Sequence, residues 1–237
     1  MTEPKDMRIT VTENGPFQVE GGIPLAIQVI EPNEEGESWA WREGQSFEVG
    51  ERYRLCRCGQ SKNKPFCDDS HLTNGFDGTE TAPRVPYLEQ AEEYEGPERT
   101  LTDAQAFCTS ARFCDARGSI WSLIEEAGEE ATGLVEREGA HCPSGRLVVW
   151  KAGEDGRLVP SAEPNFEPSI GVVEDPALGA SSGLWIRGGI PVASADGYTY
   201  EVRNRMMLCR CGASENKPFC DGMHGPIRFK DGFLDAG

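Results

Sequence analysis

The sequence predicts an α+β, strand-rich protein in which two repeated units pair within one chain around a small middle module. Three observations predict this fold. Residues 47–71 and 200–224 are one stretch written twice, with 16 of 25 positions identical. The segments that lead into the repeated cysteines, "FEVGERYRLC" and "YTYEVRNRMMLC", are rich in the residue types that favour strands. Between the repeats, two helix-like patterns are followed by a strand-like one.

The repeat extends towards the start of each unit. "VEGGIPLA" at 19–26 corresponds to "IRGGIPVA" at 186–193, and "ITVTEN" at 9–14 resembles "IGVVED" at 170–175. The first copy carries 14 more residues between its Gly-Gly-Ile-Pro segment and its first cysteine, and we place this insertion in the polar stretch "EPNEEGESWAWREG". We therefore expect a first repeat (1–80), a middle module (99–152) and a second repeat (168–237).

The composition excludes several classes of protein. The chain has 40 acidic against 23 basic residues, a formal net charge of −17, which argues against a general nucleic-acid binder. No stretch approaches the roughly 20 apolar residues of a membrane span, and "MTEPKDMRIT" lacks an apolar signal region. Nine cysteines in a chain of this kind indicate metal binding or redox chemistry rather than disulfides. We expect a cytoplasmic protein without membrane or nucleic-acid contacts.

Each repeat carries the spacing Cys-x-Cys-x8-Cys-x3-His. The first two cysteines follow a predicted strand and point to one side of an extended chain. Pro65 and Pro218 suit the first turn of a short helix, so we expect the third cysteine and the histidine to share a helical face. Two ligand pairs suit either one tetrahedral ion, such as zinc, or two irons bridged by sulfides. The predicted ligands are Cys56, Cys58, Cys67 and His71 in the first repeat and Cys209, Cys211, Cys220 and His224 in the second.

The fuller motif Cys-x-Cys-x2-Ser-x3-Pro-x-Cys-Asp-x-x-His resembles the CDGSH iron–sulfur family, the mitoNEET-like proteins. The resemblance implies one 2Fe–2S cluster per repeat, bound by three cysteines and one histidine. The copies depart from the family pattern at Asp69 and at Met223, neither of which is a ligand. Family members pair two motifs across a dimer, so the resemblance implies an intramolecular pseudo-dimer in a monomeric chain. The matching non-ligand positions are Ser61, Pro65 and Asp68, and Ser214, Pro218 and Asp221.

The middle module has three cysteines in the spacing Cys-x5-Cys-x27-Cys-Pro. Thr102 and Gln105 form a capping box, which predicts a helix containing "AFCTSARFC". We expect a second helix over "SIWSLIEEAG" and a strand over "GRLVVWK". The spacing resembles the single-cluster ferredoxins, including the divergent mono-cluster type, which implies a 3Fe–4S or 4Fe–4S cluster.

Two features of the middle module count against a third cluster. On a continuous helix Cys108 and Cys114 would lie about 120° out of register. No fourth cysteine is present, and His141, next to Cys142, is an awkward ligand. From the sequence we therefore favour a module that has lost its cluster, with a third metal site at Cys108, Cys114 and Cys142 as the alternative.

The sequence shows no Ser–His–Asp set, phosphate-binding loop or dinucleotide-binding glycine pattern, so we expect a protein that is not an enzyme. The leading hypothesis is one-electron transfer or redox sensing by two 2Fe–2S clusters. The alternatives are storage of 2Fe–2S clusters with transfer to apoproteins, and a zinc-stapled interaction module. The partner is accordingly a redox protein or an apo-acceptor.

A group of basic residues surrounds the first motif. These side chains either steer an acidic redox partner or form a solvated surface strip. The group consists of Arg52, Arg54, Arg57, Lys62 and Lys64.

Overall fold

The computed structural model describes residues 7–234, and this part of the chain is strand-rich with few helices, as the sequence predicts. The first repeat contributes β1 (Arg8–Val11), β2 (Phe17–Glu20), β3 (Leu25–Pro32), β4 (Ser38–Phe47) and β5 (Arg52–Leu55). The middle segment contributes β6 (Glu92–Glu95), β7 (Thr100–Asp103), α1 (Ile120–Leu123), α2 (Glu129–His141), β8 (Leu147–Ala152) and β9 (Leu158–Pro160). The second repeat contributes β10 (Ser169–Asp175), β11 (Ala180–Arg187), β12 (Val192–Ala193) and β13 (Arg205–Leu208).

Two of the three sheets combine strands from both repeats. The first sheet has the order β12-β1-β2-β5, and the second has the order β13-β11-β10-β3-β4. β1 pairs in parallel with β12, and β10 pairs in parallel with β3. The backbone N–H of Ile9 donates to the carbonyl of Pro191, and that of Ile170 donates to the carbonyl of Pro24, at 2.9 Å in both cases. Each repeat therefore completes a sheet of the other through an equivalent contact.

The two repeats also share one hydrophobic core. Ile9 and Leu55 of the first repeat belong to the same buried cluster as their counterparts Ile170 and Leu208. All four side chains are at most 1% exposed. Full burial of one such aliphatic side chain contributes about 1.5–3 kcal/mol. The shared core explains how two short cysteine-rich units form a stable body in a chain of which only 38% of the residues are hydrophobic.

The insertion of the first repeat forms the outer part of the β3–β4 hairpin. β4 is the edge strand of the second sheet and has no counterpart in the second repeat. Trp41 on β4 packs on Phe113 of the middle segment and on Trp185 of β11, with ring centroids 4.9 Å and 4.4 Å apart. The insertion thus fastens the middle segment to the sheet.

The middle segment has its own sheet, β6-β7-β8-β9, with α1 and α2 packed on it. Its apolar core comprises Leu101, Ile120, Leu123, Ile124, Val135, Leu147 and Val149. The predicted strand over "GRLVVWK" is confirmed as β8. No helix within residues 7–234 is long and apolar enough to cross a membrane.

The predicted helix over "AFCTSARFC" is wrong. Thr102 lies in β7, and its hydroxyl is engaged by Trp150 Nε1 at 2.8 Å and by the Tyr87 hydroxyl at 2.9 Å, so it caps no helix. The cysteine-containing stretch consists of two short 3-10 turns with Ser110 and Arg112 at positive φ between them. A continuous helix cannot contain such residues.

The second predicted helix is only partly correct. Of "SIWSLIEEAG", one turn is helical, as α1, and the longer α2 begins after Gly128 and was not predicted. The sequence of α2 contains Gly133 and Gly139 and few apolar residues, which lowers its helix propensity. Gly139 is required for packing, because a Cβ there would lie 2.6 Å from a methyl group of Val149.

Candidate metal centres

β5 delivers the first cysteine pair, and a loop returns the second ligand pair to the same place. The Cys56 N–H donates to the Pro65 carbonyl at 2.8 Å, and the Cys67 N–H donates to the Arg54 carbonyl at 3.0 Å. These two bonds hold the loop across the end of the strand. Pro65 lies in a turn of this loop and not in the first turn of a helix, so its expected place is wrong.

The expected helical face for Cys67 and His71 is also wrong. Cys67 precedes the 3-10 turn Ser70–Leu72, which contains His71. The turn still brings the Cys67 Sγ and the His71 Nδ1 to 3.5 Å from each other. The Sγ atoms of Cys56 and Cys58 lie 3.8 Å apart. Both predicted ligand pairs of the first repeat are therefore assembled.

The second repeat reproduces this arrangement. The Sγ atoms of Cys209 and Cys211 are 3.7 Å apart, and the Cys220 Sγ lies 3.4 Å from the His224 Nδ1. The loop closes through the same two backbone bonds, from Cys209 to Pro218 and from Cys220 to Met207, both at 2.9 Å. Pro218 likewise lies in a turn and does not begin a helix, so its expected place is also wrong.

Ser and Asp side chains within each loop hold the backbone between the ligands in the same way in both repeats. Ser61 Oγ donates to the Phe66 carbonyl at 2.7 Å, and Ser214 Oγ donates to the Phe219 carbonyl at 2.7 Å. The Oδ2 atoms of the two motif aspartates accept backbone N–H bonds across the loop. These pairs are Asp68 with Lys62 at 2.8 Å and Asp221 with Glu215 at 2.7 Å.

The ligand distances fit two ions in each repeat, one per pair. On a tetrahedral ion with ordinary metal–ligand bonds, two thiolates lie about 3.8 Å apart and a thiolate and an imidazole nitrogen about 3.5 Å apart. Every pair has this spacing. A single ion would hold all four donors equally close. Within residues 7–234, however, no three of the four ligand atoms of either repeat lie within 4.8 Å of one another. The donor set therefore fits a binuclear centre better than one zinc ion.

The loops of the two repeats are in direct backbone contact. A Cβ at Gly59, which follows Cys58, would lie closer than 3.0 Å to the Cys211 carbonyl oxygen. A Cβ at Gly212 would in turn lie 2.7 Å from the Cys58 carbonyl oxygen. Both glycines also have positive φ, which disfavours any other residue. The two metal-binding loops thus meet through equivalent glycines.

The arginine between the paired cysteines has a structural role that the sequence reasoning missed. Arg57 and Arg210 are 2% and 3% exposed, so Arg57 does not belong to an exposed basic group. The only available signal was the identity of this position in the two copies. Arg57 donates to the carbonyls of Gly15, Gly78 and Thr12 at 2.7, 2.9 and 3.0 Å. Arg210 donates to the carbonyls of Ser182 and Val173 and pairs with Glu174 and Asp231.

Internal contacts also engage two other members of the basic group around the first motif. Arg54 forms a bidentate pair with Asp69, at 2.7 and 3.1 Å. Lys64 Nζ donates to the Ser61 carbonyl at 2.6 Å. Of the five cations, Arg57 is buried, and the exposed Arg52 and Arg54 pair with Glu20 and Asp69, which leaves Lys62 exposed without an ion pair among the described residues.

The two histidines differ in environment. His71 is half-buried, whereas His224 is 1% exposed. Burial, with a smaller contribution from the charge of Arg210, lowers the pKa of His224 to about 4. Among the cysteines, burial raises the pKa of Cys56 to about 11 and raises that of Cys220 as well. The lowered pKa keeps the imidazole of His224 neutral near pH 7, the form that binds a metal.

The three middle cysteines line one cavity of about 390 Å³. Cys108 and Cys114 come from the broken turns after β7, and Cys142 follows α2. The absence of a helix over this stretch removes the 120° mismatch expected from the sequence. In the described part of the chain the three sulfurs do not all lie within 4.8 Å of one another, so they do not surround a single ion. His141 does not line this cavity.

Comparisons with known proteins match each of these regions. Residues 14–72 and 182–225 match the family described as iron-binding zinc finger, CDGSH type, and residues 94–152 match the family described as divergent 4Fe-4S mono-cluster. A CDGSH iron-sulfur domain-containing protein 3, mitochondrial, from Mus musculus is 62% identical over 24 residues. That alignment covers 10% of this chain and 18% of the mouse protein. No solved structure matches the chain.

Proposed function

Because the chain carries two CDGSH-type iron–sulfur domains around a segment of the divergent mono-cluster type, we propose that it transfers single electrons, or senses redox state, through one 2Fe–2S cluster per repeat. The observation that supports this most is the spacing of the four ligand pairs, 3.4–3.8 Å within each pair in both repeats. A bound 2Fe–2S cluster supplies a one-electron couple. A histidine ligand removes one negative charge relative to four thiolates, which raises the reduction potential.

The chain's own residues hold and shield such a cluster. The Ser and Asp side chains of each loop fix the ligand backbone, and Arg57 and Arg210 anchor the turn between the paired cysteines from the protein interior. The test is a reductive titration of the purified protein followed by visible absorption and electron paramagnetic resonance. Two one-electron waves are expected. A colourless protein without redox activity would contradict the proposal.

A second function, delivery of clusters to apoproteins, is favoured by the exposure of the first site. Cys67 and His71 are only partly buried, so an acceptor can reach this ligand pair directly. The second site is covered, with Cys220 and His224 at 2% and 1% exposure. After incubation with an apo-ferredoxin and separation, delivery predicts that half of the 2Fe–2S absorbance moves to the acceptor. Full retention would leave electron transfer as the function.

We propose in addition that the middle cavity holds a 3Fe–4S or 4Fe–4S cluster. Three separated sulfurs around one cavity suit a cluster with one ligand on each of three irons. This reverses our preference from the sequence alone, because the broken turns allow Cys108 and Cys114 to face one space. Cys142→Ala should remove about three or four irons per chain, and an unchanged iron content would contradict a cluster at this place.

The symmetric strand exchange supports an intramolecular pseudo-dimer. The pairings β1 with β12 and β3 with β10, the shared core and the contact of Gly59 with Gly212's loop all relate equivalent parts of the two repeats. Residues 1–98 expressed alone should therefore be unstable or should dimerise. A stable monomer with its cluster intact would favour independently folded units. The single-chain state, the cytoplasmic location and the lack of enzymatic activity stay predictions from the sequence.

A further inference from the structure

The cysteine loop of the middle segment lies directly on the metal-binding loop of the second repeat. Gly222 stands between the ligands Cys220 and His224, and a Cβ there would lie 2.7 Å from Ser110 Oγ and 3.3 Å from the Cys108 carbonyl oxygen. The backbone that carries one middle cysteine therefore touches the backbone between two ligands of the second site.

Other contacts fix the same two loops together. Asn216 Nδ2 donates to the Ala106 carbonyl at 2.8 Å. The rings of Phe107 and Phe219, each next to a cysteine in the sequence, pack edge to face with centroids 5.1 Å apart. Cys220 also belongs to the apolar cluster that contains Phe113. Hydrogen-bonding and aromatic contacts therefore connect the cysteine loop of the middle segment to the metal-binding loop of the second repeat.

Within residues 7–234, the first repeat has no such contact with the middle segment at the equivalent position. The residue equivalent to Gly222 is Asp69, whose half-exposed carboxylate pairs with Arg54 at 2.7 Å and lies within 4.8 Å of the ligand atoms of Cys67 and His71. A glycine is needed at this position of the second repeat because the middle segment packs directly against it, where a Cβ would overlap with Ser110 Oγ. The two CDGSH-type sites are equivalent in their ligands but differ in what lies against them.

We propose that the contact between Gly222 and Cys108–Ser110 is an electron-transfer contact that couples the middle cysteine site to the second CDGSH-type site. This rests on the proposed function, since it requires clusters at both sites. One electron leaves the reduced centre and reduces the oxidised one, with no proton transferred and no bond broken. The electron enters from a one-electron donor protein, for which dithionite substitutes in vitro. The first site, whose ligand His71 is only half-buried, remains accessible to external partners.

The test is electron paramagnetic resonance of the dithionite-reduced full-length protein, with iron and acid-labile sulfide measured on the same samples. Coupling predicts that the signal of the second CDGSH-type centre, assigned with His224→Cys, is broadened by a neighbouring spin. Cys142→Ala should abolish that broadening and leave the signal of the first centre unchanged. Gly222→Ala keeps all three middle cysteines but displaces the loop, and it should weaken the broadening. Gly179→Ala is the matched control, because Gly179 also has positive φ but nothing lies within 4 Å of its added Cβ.

The outcomes separate this inference from the proposed function. A protein with about seven or eight irons per chain whose second-centre signal is the same in wild type, Cys142→Ala and Gly222→Ala would overturn the inference alone. A protein with about four irons, unaffected by Cys142→Ala, would overturn both the third cluster and the inference. If Cys142→Ala fails to fold, the comparison of Gly222→Ala with Gly179→Ala decides the question.

Discussion

Replacing Gly59 by alanine tests the contact between the two metal-binding loops. The added Cβ would lie closer than 3.0 Å to the Cys211 carbonyl oxygen, which is backbone and cannot rotate away. Gly75→Ala is a matched control, because its φ of +72° is close to the +74° of Gly59 but nothing lies within 4 Å of its added Cβ. Both variants bear the cost of positive φ, about 1–2 kcal/mol. Only Gly59→Ala adds the overlap, typically about 1–3 kcal/mol.

The difference between the two variants isolates the loop contact. For a chain of this size about 2 kcal/mol lowers the melting temperature by roughly 4–8 °C. Thermal unfolding followed by circular dichroism should therefore show Gly59→Ala melting several degrees below Gly75→Ala. Because the contact spans both sites, Gly59→Ala should also lose iron from both CDGSH-type sites. Equal melting temperatures and equal iron contents in the two variants would refute the direct packing of these loops.

Further predictions concern ligands and buried charge. His71→Cys should slow cluster loss at acidic pH and lower the reduction potential of the first cluster, because a thiolate replaces a neutral ligand that becomes protonated in acid. Cluster loss is followed by the decrease in visible absorbance. If the variant loses its cluster in acid as fast as wild type, protonation of the histidine is not the trigger. Glu138 is fully buried, next to the Arg117 N–H, Arg137 and Asp115, and burial raises its pKa to about 7. The folded state then binds this proton more tightly than the unfolded state, so Glu138 costs stability as the pH rises from about 4.5 to 7. The free energy of unfolding of Glu138→Gln, measured by chemical unfolding, should therefore rise relative to that of wild type by up to about 3 kcal/mol between pH 5 and pH 8. A difference between the two proteins that does not change with pH would contradict the buried charge.

The sequence predicted which candidate ligands would lie close together, because their spacing along the chain is local information. Cys56 and Cys58 are two residues apart after a strand, and their Sγ atoms lie 3.8 Å apart. Cys67 and His71 were expected to meet on a helix and meet through a turn, so the spacing was informative although the assumed element was wrong. The repeat likewise predicted the equivalent strands β5 and β13, whereas the counterparts β3 and β12 differ in length, with eight residues against two.

What the sequence could not provide depends on contacts between distant residues. Thr102 fits a capping box locally, but Trp150 and Tyr87 use its hydroxyl in the sheet. The basic surface was counted from charges alone, and neither the burial of Arg57 nor its carbonyl partners can be read from its neighbours in the chain. The loop that packs on Gly222, two residues before His224, comes from about 110 positions earlier in the chain, at Cys108 and Ser110.

The most direct test of the central claim is the metal and sulfide content of the protein purified without oxygen. Two binuclear sites predict at least four irons and four acid-labile sulfides per chain, without zinc. In Cys209→Ala only the first CDGSH-type site keeps its cluster, so the two CDGSH-type sites together should hold about two irons instead of about four. A protein that contains zinc and no labile sulfide, or two irons in total, would contradict one 2Fe–2S cluster in each repeat.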